Sequence, residues 1–262
     1  MRALAEMPDD VRRGIRGVLT DIDDTLSTHG RLTATAYAAM ERLRAAGRLV
    51  IPITGRPAGW CDHIARMWPV DAVVGENGAL YMRYDATARK LVRRFAIDEP
   101  TRRANRARLA AIAAKIVAAV PGCAQASDQR YRETDLAIDF REDVPPLPTE
   151  AVDRIVALMQ GEGRTAKVSS IHVNGWFGTY DKLTMTRTLL AEAFGIDLDA
   201  GRARFVFAGD SPNDAPMFAY FPHAVGVANV REFADRIATL PAYVTRAEAG
   251  AGFAELADFL LR

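Results

Sequence analysis

The 262-residue chain has only two cysteines, Cys61 and Cys123, far apart and in no metal-binding pattern. They read as free thiols, which excludes a disulfide framework and suits a reducing compartment. No apolar run approaches the ~18 residues that a membrane span needs. Met1 to Arg16 carries charges of both signs and no apolar h-region, so no signal peptide is expected and a cytoplasmic location is inferred. The formal net charge is only +1, which gives no general attraction to nucleic acid or anionic membranes. Internal repeats and low-complexity tracts are absent. Lysine is scarce: Lys90, Lys115, Lys167 and Lys182 are the only four, so each stands out. What remains is a well-mixed composition, 49% hydrophobic and 26% charged, long enough for one large domain or two modest ones.

The stretch Val18-Leu19-Thr20-Asp21-Ile22-Asp23-Asp24-Thr25-Leu26 begins apolar and ends in acids. A buried strand cannot hold unpaired carboxylates, so the strand must stop at Asp21 and the acids must lie on the loop beyond it. Two readings stand for that loop. Asp and Thr are good helix N-caps, and clustered carboxylates are good ligands for a hard cation such as Mg2+.

The chain then alternates. Residues 1–16 read as a loose lead-in, Gly17 to Thr20 as a strand, Leu32 to Leu43 as a helix and Leu49 to Ile53 as a strand. This βαβ unit implies a parallel sheet, so Thr54-Gly55-Arg56 lands on the same edge as Asp21. A hydroxyl and successive backbone N–H groups there can grip an oxyanion, or simply start a helix. A hairpin is expected around Gly75-Glu76-Asn77-Gly78, where Glu76 and Asn77 read as turn residues. From residue 85 to 175 the pattern changes to α+β, with helices over 101–120 and 149–160 and strands over 91–97, 136–140 (within an alternating stretch from 130) and 165–173. The expected division is a catalytic core of residues 1–84 and 176–262 and an inserted cap of 85–175. The core resumes with Lys182 opening a helix, then an apolar strand ending in Gly209-Asp210-Ser211-Pro212-Asn213-Asp214, and a helix over 230–240. The fold class is therefore α/β, a Rossmann-like parallel sheet with helices on both faces and an inserted α+β domain.

Asp210 follows a strand as Asp21 does, so acids remote in sequence reach one edge. Lys182 adds a counter-charge and Thr54 an oxyanion grip. That combination suits phosphoryl transfer. Asp21-Ile22-Asp23-Asp24-Thr25-Leu26, Thr54-Gly55-Arg56, Lys182 and the 209–214 run together resemble the four motifs of the haloacid dehalogenase superfamily. The place and type of the insert, with Gly75-Glu76-Asn77-Gly78-Ala79, resemble its Cof-type branch. That branch includes sugar phosphatases, sucrose-phosphate and mannosyl-phosphoglycerate phosphatases, and eukaryotic-type phosphomannomutases. Asp24 departs from the glycine that many relatives carry, though Asp also occurs in the branch.

The resemblance implies that Asp21 is the nucleophile and Asp23 the acid and base. It implies Mg2+ on Asp21, the Asp23 carbonyl and Asp210, supported by Asp214. Thr54, Gly55, Lys182 and Asn213 would bind the phosphoryl group. Arg56, Arg130, Arg132, His172 and Asn174 are candidates to reach the substrate, His172 also reading as a solvent-facing strand residue. The expected function is a Mg2+-dependent phosphatase for a small phosphorylated metabolite, a sugar phosphate first. A phosphomutase and a non-catalytic sugar-phosphate-binding protein are the alternatives. The protein is expected as a monomer or homodimer.

Overall fold

Short apolar strands set the central sheet. In the computed structural model, which describes residues 1–262, six strands run parallel. Their order is Arg2–Ala3, Tyr243–Val244, Val225–Gly226, Phe205–Gly209, Gly17–Thr20 and Leu49–Pro52. Alternation along the strands divides the core in two, because successive side chains point to opposite faces. Val18, Val50 and Val206 pack with Met40, Leu43, Ile64, Phe253 and Leu256 from three helices. Leu19, Ile51 and Phe207 pack on the other face with Leu189, Leu190 and Phe218. Both faces are thus covered, as a parallel sheet requires, and each such side chain stabilises the fold by about 1.5–3 kcal/mol. No helix is long and apolar enough to cross a membrane.

The expected loose lead-in is structured. Arg2–Ala3 forms the sheet's edge strand, Asp9–Gly14 is a helix, and Leu4, Met7 and Ile15 are buried. A two-residue strand leaves no alternation to read. The helix expected over 230–240 is instead a run of 3-10 turns at Ala228–Arg236.

The strand Val73–Gly75 turns through Glu76–Gly78 and pairs antiparallel with Leu80–Asp85, which pairs in turn with Lys90–Phe95. The last two strands form a hairpin that stays with the core side, so the expected division at residue 85 falls inside it. The cap follows, with sheet order Ala124–Gln125, Asp135–Asp139, His172–Trp176 and Thr165–Val168, all antiparallel. The single strand expected over 165–173 is therefore two. Ser169 closes the turn between them, its hydroxyl accepting from the Ile171 and His172 N–H groups. Helices Glu99–Ala119 and Thr149–Gly161 cover one face of this sheet, burying Leu136, Ile138 and Val173. The alternate residues, Asp135, His172 and Asn174, carry buried polar groups on the other face.

Candidate active site

Parallel strands end at one edge, and there the acids meet. Asp21 leaves the Gly17–Thr20 strand with its N–H bonded to the Ala208 carbonyl at 2.9 Å. Asp210 leaves the neighbouring Phe205–Gly209 strand. Asp214 sits one tight turn later, where its Oδ2 accepts from the N–H groups of Asp210 at 3.1 Å and Ser211 at 3.4 Å. All three carboxylates are buried, and each offers an oxygen within 4.8 Å of the others. Lys182 opens the helix Lys182–Phe194, whose N-cap is Asp181. Its Nζ donates to Asp21 Oδ1 at 2.8 Å and Asp214 Oδ1 at 2.7 Å. The Thr25 hydroxyl donates to Asp210 Oδ1 at 3.0 Å.

Three acids against one buried cation leave the cluster short of positive charge. Burial, opposed by Lys182 and reinforced by Asp214 and Asp23, pushes Asp21 up to about 7. Burial and then Asp214 and Asp21 push Asp210 well above the usual carboxylate range. Burial works to lower Lys182, but Asp21 and Asp214 outweigh it and hold the ammonium protonated. An all-oxygen set with this deficit fits a hard divalent cation.

Thr54 and Gly55 reach the same edge, with Thr54 Oγ1 accepting from the Arg56 N–H at 3.0 Å. Asn77 packs against them in a left-handed conformation (φ 54°), its N–H bonded to the Thr54 carbonyl at 3.0 Å. Its amide nitrogen is buried without a partner. Asn77, Lys182 and Asn213 share a small cavity of about 50 Å3. Asn213 also accepts from the Ser211 hydroxyl at 2.9 Å.

Between cap and core lie two hollows, of about 190 and 230 Å3, that share Asp24, His29 and Arg141. Asp210, Asn229 and Ser170 line the first; Asp23, Arg56 and Glu142 line the second. The Ser170 hydroxyl is buried with no partner. Arg141, Glu142, Ser170 and Asn229 were not among the expected site residues. The signal available for the first two was a charged run directly after a cap strand.

The expected cap contacts divide. His172 is buried rather than solvent-facing, with Nε2 2.9 Å from Glu142. Arg130 is exposed on Tyr131, away from both hollows. Arg132 and Asn174 do not face the hollows either. Arg132 is buried, donating to Asp128 at 3.1 Å, Asp135 at 3.0 Å and the Gly55 carbonyl at 2.8 Å. Asn174 donates to Asp135 at 3.0 Å. Arg132 ties cap to core through the Gly55 carbonyl, while its two carboxylate partners, which a buried guanidinium needs, lie within the cap.

Glu76 is a second tie. Its carboxylate accepts from the N–H groups of Ala58 (2.8 Å), Glu133 (2.8 Å) and Thr134 (2.7 Å), and from the Thr134 hydroxyl. Burial and Asp135 push it up to about 7 against those donors and Arg132.

Arg56 makes the third tie. One edge of its guanidinium bonds Asp23 (2.9 Å from Nε, 2.7 Å from Nη2). The other edge bonds Glu142 (2.5 and 3.2 Å), and its face lies 4.4 Å from the Trp60 ring centre. Burial works against ionisation of Glu142, but hydrogen bonds and charge from His172 and Arg56 win and hold it down at about 2. The folded carboxyl thus lies below its ordinary 4.5, so its stabilisation is full above 4.5 and lost as pH falls through about 2. The stability gap between wild type and Glu142→Gln, read by chemical denaturation, should close as pH falls from 4.5 toward 2.

The parallel sheet and the inserted α+β cap make a fold like that of solved haloacid dehalogenase-like hydrolases. Solved structures of that kind match nearly end to end. A sucrose-phosphatase from Synechocystis sp. PCC6803, solved with sucrose and phosphate, superposes with TM-score 0.63 at 16% identity, over 94% of this chain and 98% of that one. A HAD/COF-like hydrolase structure from Plasmodium vivax gives 0.67 at 17%, over 95% and 96%. The C-terminal domain of a C. albicans trehalose-6-phosphate phosphatase gives 0.68 at 12%, over 96% and 94%. At such identities the likeness is one of fold. No protein-family model and no curated protein matches the sequence.

Proposed function

We propose that the protein is a Mg2+-dependent phosphatase for a small phosphorylated metabolite, a sugar phosphate first among the candidates. The observation that carries this reading is the buried cluster of Asp21, Asp210 and Asp214 against the single cation Lys182. Asp21, Asp210 and Asp214, with the Asp23 carbonyl, are the residues that would hold Mg2+. Bound there, Mg2+ supplies neutralisation of phosphoryl charge.

The chain's own groups divide the remaining work. Thr54, the amides around Gly55, Lys182 and Asn213 orient the phosphoryl oxygens. An Asp21 oxygen attacks phosphorus, forming the aspartyl-phosphate as the bond to the leaving oxygen breaks. Asp23 gives that oxygen a proton. Asp23 then takes a proton from a water whose oxygen attacks phosphorus, the bond from phosphorus to the Asp21 oxygen breaks, and inorganic phosphate leaves a restored Asp21. The cap keeps bulk water out and selects the leaving group through the two hollows.

The test is a panel of phosphorylated metabolites assayed for free phosphate with Mg2+ and with a chelator. Release from a sugar phosphate that stops on chelation and returns with Mg2+ is the expected result. An isomeric sugar phosphate without free phosphate would identify a phosphomutase instead. No turnover of any ester, with binding alone, would leave a sugar-phosphate-binding protein.

A further inference from the structure

We propose that Glu142 of the cap is a positioning residue for proton transfer by Asp23, acting through Arg56. The inference rests on the phosphatase reading above. Asp23 belongs to the core loop, yet its carboxylate is held from one side by a guanidinium whose other edge belongs to the cap. Arg56 is 3% exposed, and both of its hydrogen-bonding edges and its π-face are occupied. Its Nη1 also lies 3.5 Å from Asp128.

The position of Glu142 is itself fixed. The Asp139 carboxylate, at the end of a cap strand, accepts from the N–H groups of Arg141 (2.9 Å), Glu142 (2.8 Å) and Asp143 (2.8 Å). That turn aims the Glu142 side chain at Arg56, and His172 backs it at 2.9 Å. A rigid fork transmits position: where Glu142 sits sets the guanidinium plane, and the plane sets the Asp23 carboxylate. Removing Glu142 leaves that edge of Arg56 with only the long contact to Asp128 and lets Asp23 drift with it. A misplacement of about 1 Å in a reacting group can cost on the order of 10²-fold. The seated cap would thereby complete the proton donor as well as cover the site.

Leaving-group dependence reads this directly. Substituted phenyl phosphates of similar size share their binding contacts but differ in how much the departing oxygen needs a proton. Nitrophenoxide leaves unassisted, and phenoxide needs the acid. We would measure kcat/KM, which reports the steps up to the first irreversible one, for wild type, Glu142→Gln and Glu142→Ala with Mg2+. The expected result is a steeper dependence on leaving-group pKa in the variants, steepest in Glu142→Ala. The penalty on the poorest leaving group should exceed that on the best by about tenfold or more. Thermal unfolding identifies any variant that fails to fold, and the isosteric Glu142→Gln then carries the comparison. Parallel plots for variants and wild type, whatever the shared loss, would overturn the proposal. No phosphate from any ester with the wild type would remove the phosphatase reading on which it rests.

Discussion

Asp21→Asn is expected to lose roughly 10⁴-fold or more of phosphate release while the fold survives. The amide cannot attack phosphorus, so no acyl-phosphate forms, and neighbouring groups cannot substitute for the missing nucleophile. Stability should not fall with activity. Asp21 is one of three buried acids, and its own charge is unwelcome enough that burial lifts its pKa to about 7. Replacing it by a neutral isostere relieves repulsion while leaving Lys182 paired with Asp214 at 2.7 Å. The measurement is phosphate release beside chemical denaturation without metal. Unchanged turnover would refute the nucleophile assignment.

Lys182→Met should act on stability as strongly as Asp21→Asn acts on rate. The ammonium is the one side-chain cation bonded to the buried acids of this edge, reaching Asp21 at 2.8 Å and Asp214 at 2.7 Å. Breaking a buried pair by removing one partner costs about 3–5 kcal/mol, because the remaining charge is uncompensated. Metal-free Lys182→Met should therefore denature earlier by that amount, and added Mg2+ should restore part of it. A cation on the acid cluster substitutes for the lost charge and stabilises by mass action. A variant as stable as wild type without metal, or one indifferent to Mg2+, would count against the shared acidic site.

The acidic edge could be read from the sequence because topology does the work of bringing it together. Strands in a parallel sheet end on one side, so Asp21, Thr54 and Asp210 needed only their strand assignments to be placed as neighbours. Lys182 followed from its position at a helix start after the insert. Contacts between cap and core could not be read in this way. Glu142 meets Arg56 across 86 positions of chain, and no periodicity in either segment encodes how one domain sits on the other. Arg132 shows the same gap from the other side. Its charge and its place in the cap suggested a ligand contact, but its neighbours are Asp128 and Asp135 on its own domain and a carbonyl on the core. Glu76 was read correctly as a turn residue, with φ 45°. The destination of its side chain was invisible, since backbone donors 57 and 58 residues away leave no trace in residue type.

Glu76 also bears on how the molecule comes apart. Its carboxylate is supported by the Ala58 N–H on the core and by Glu133 and Thr134 on the cap. Separating the domains would take away the cap's three donors together and hand the carboxylate to water. This one side chain therefore keeps most of its hydrogen bonds only while the two halves stay seated on each other.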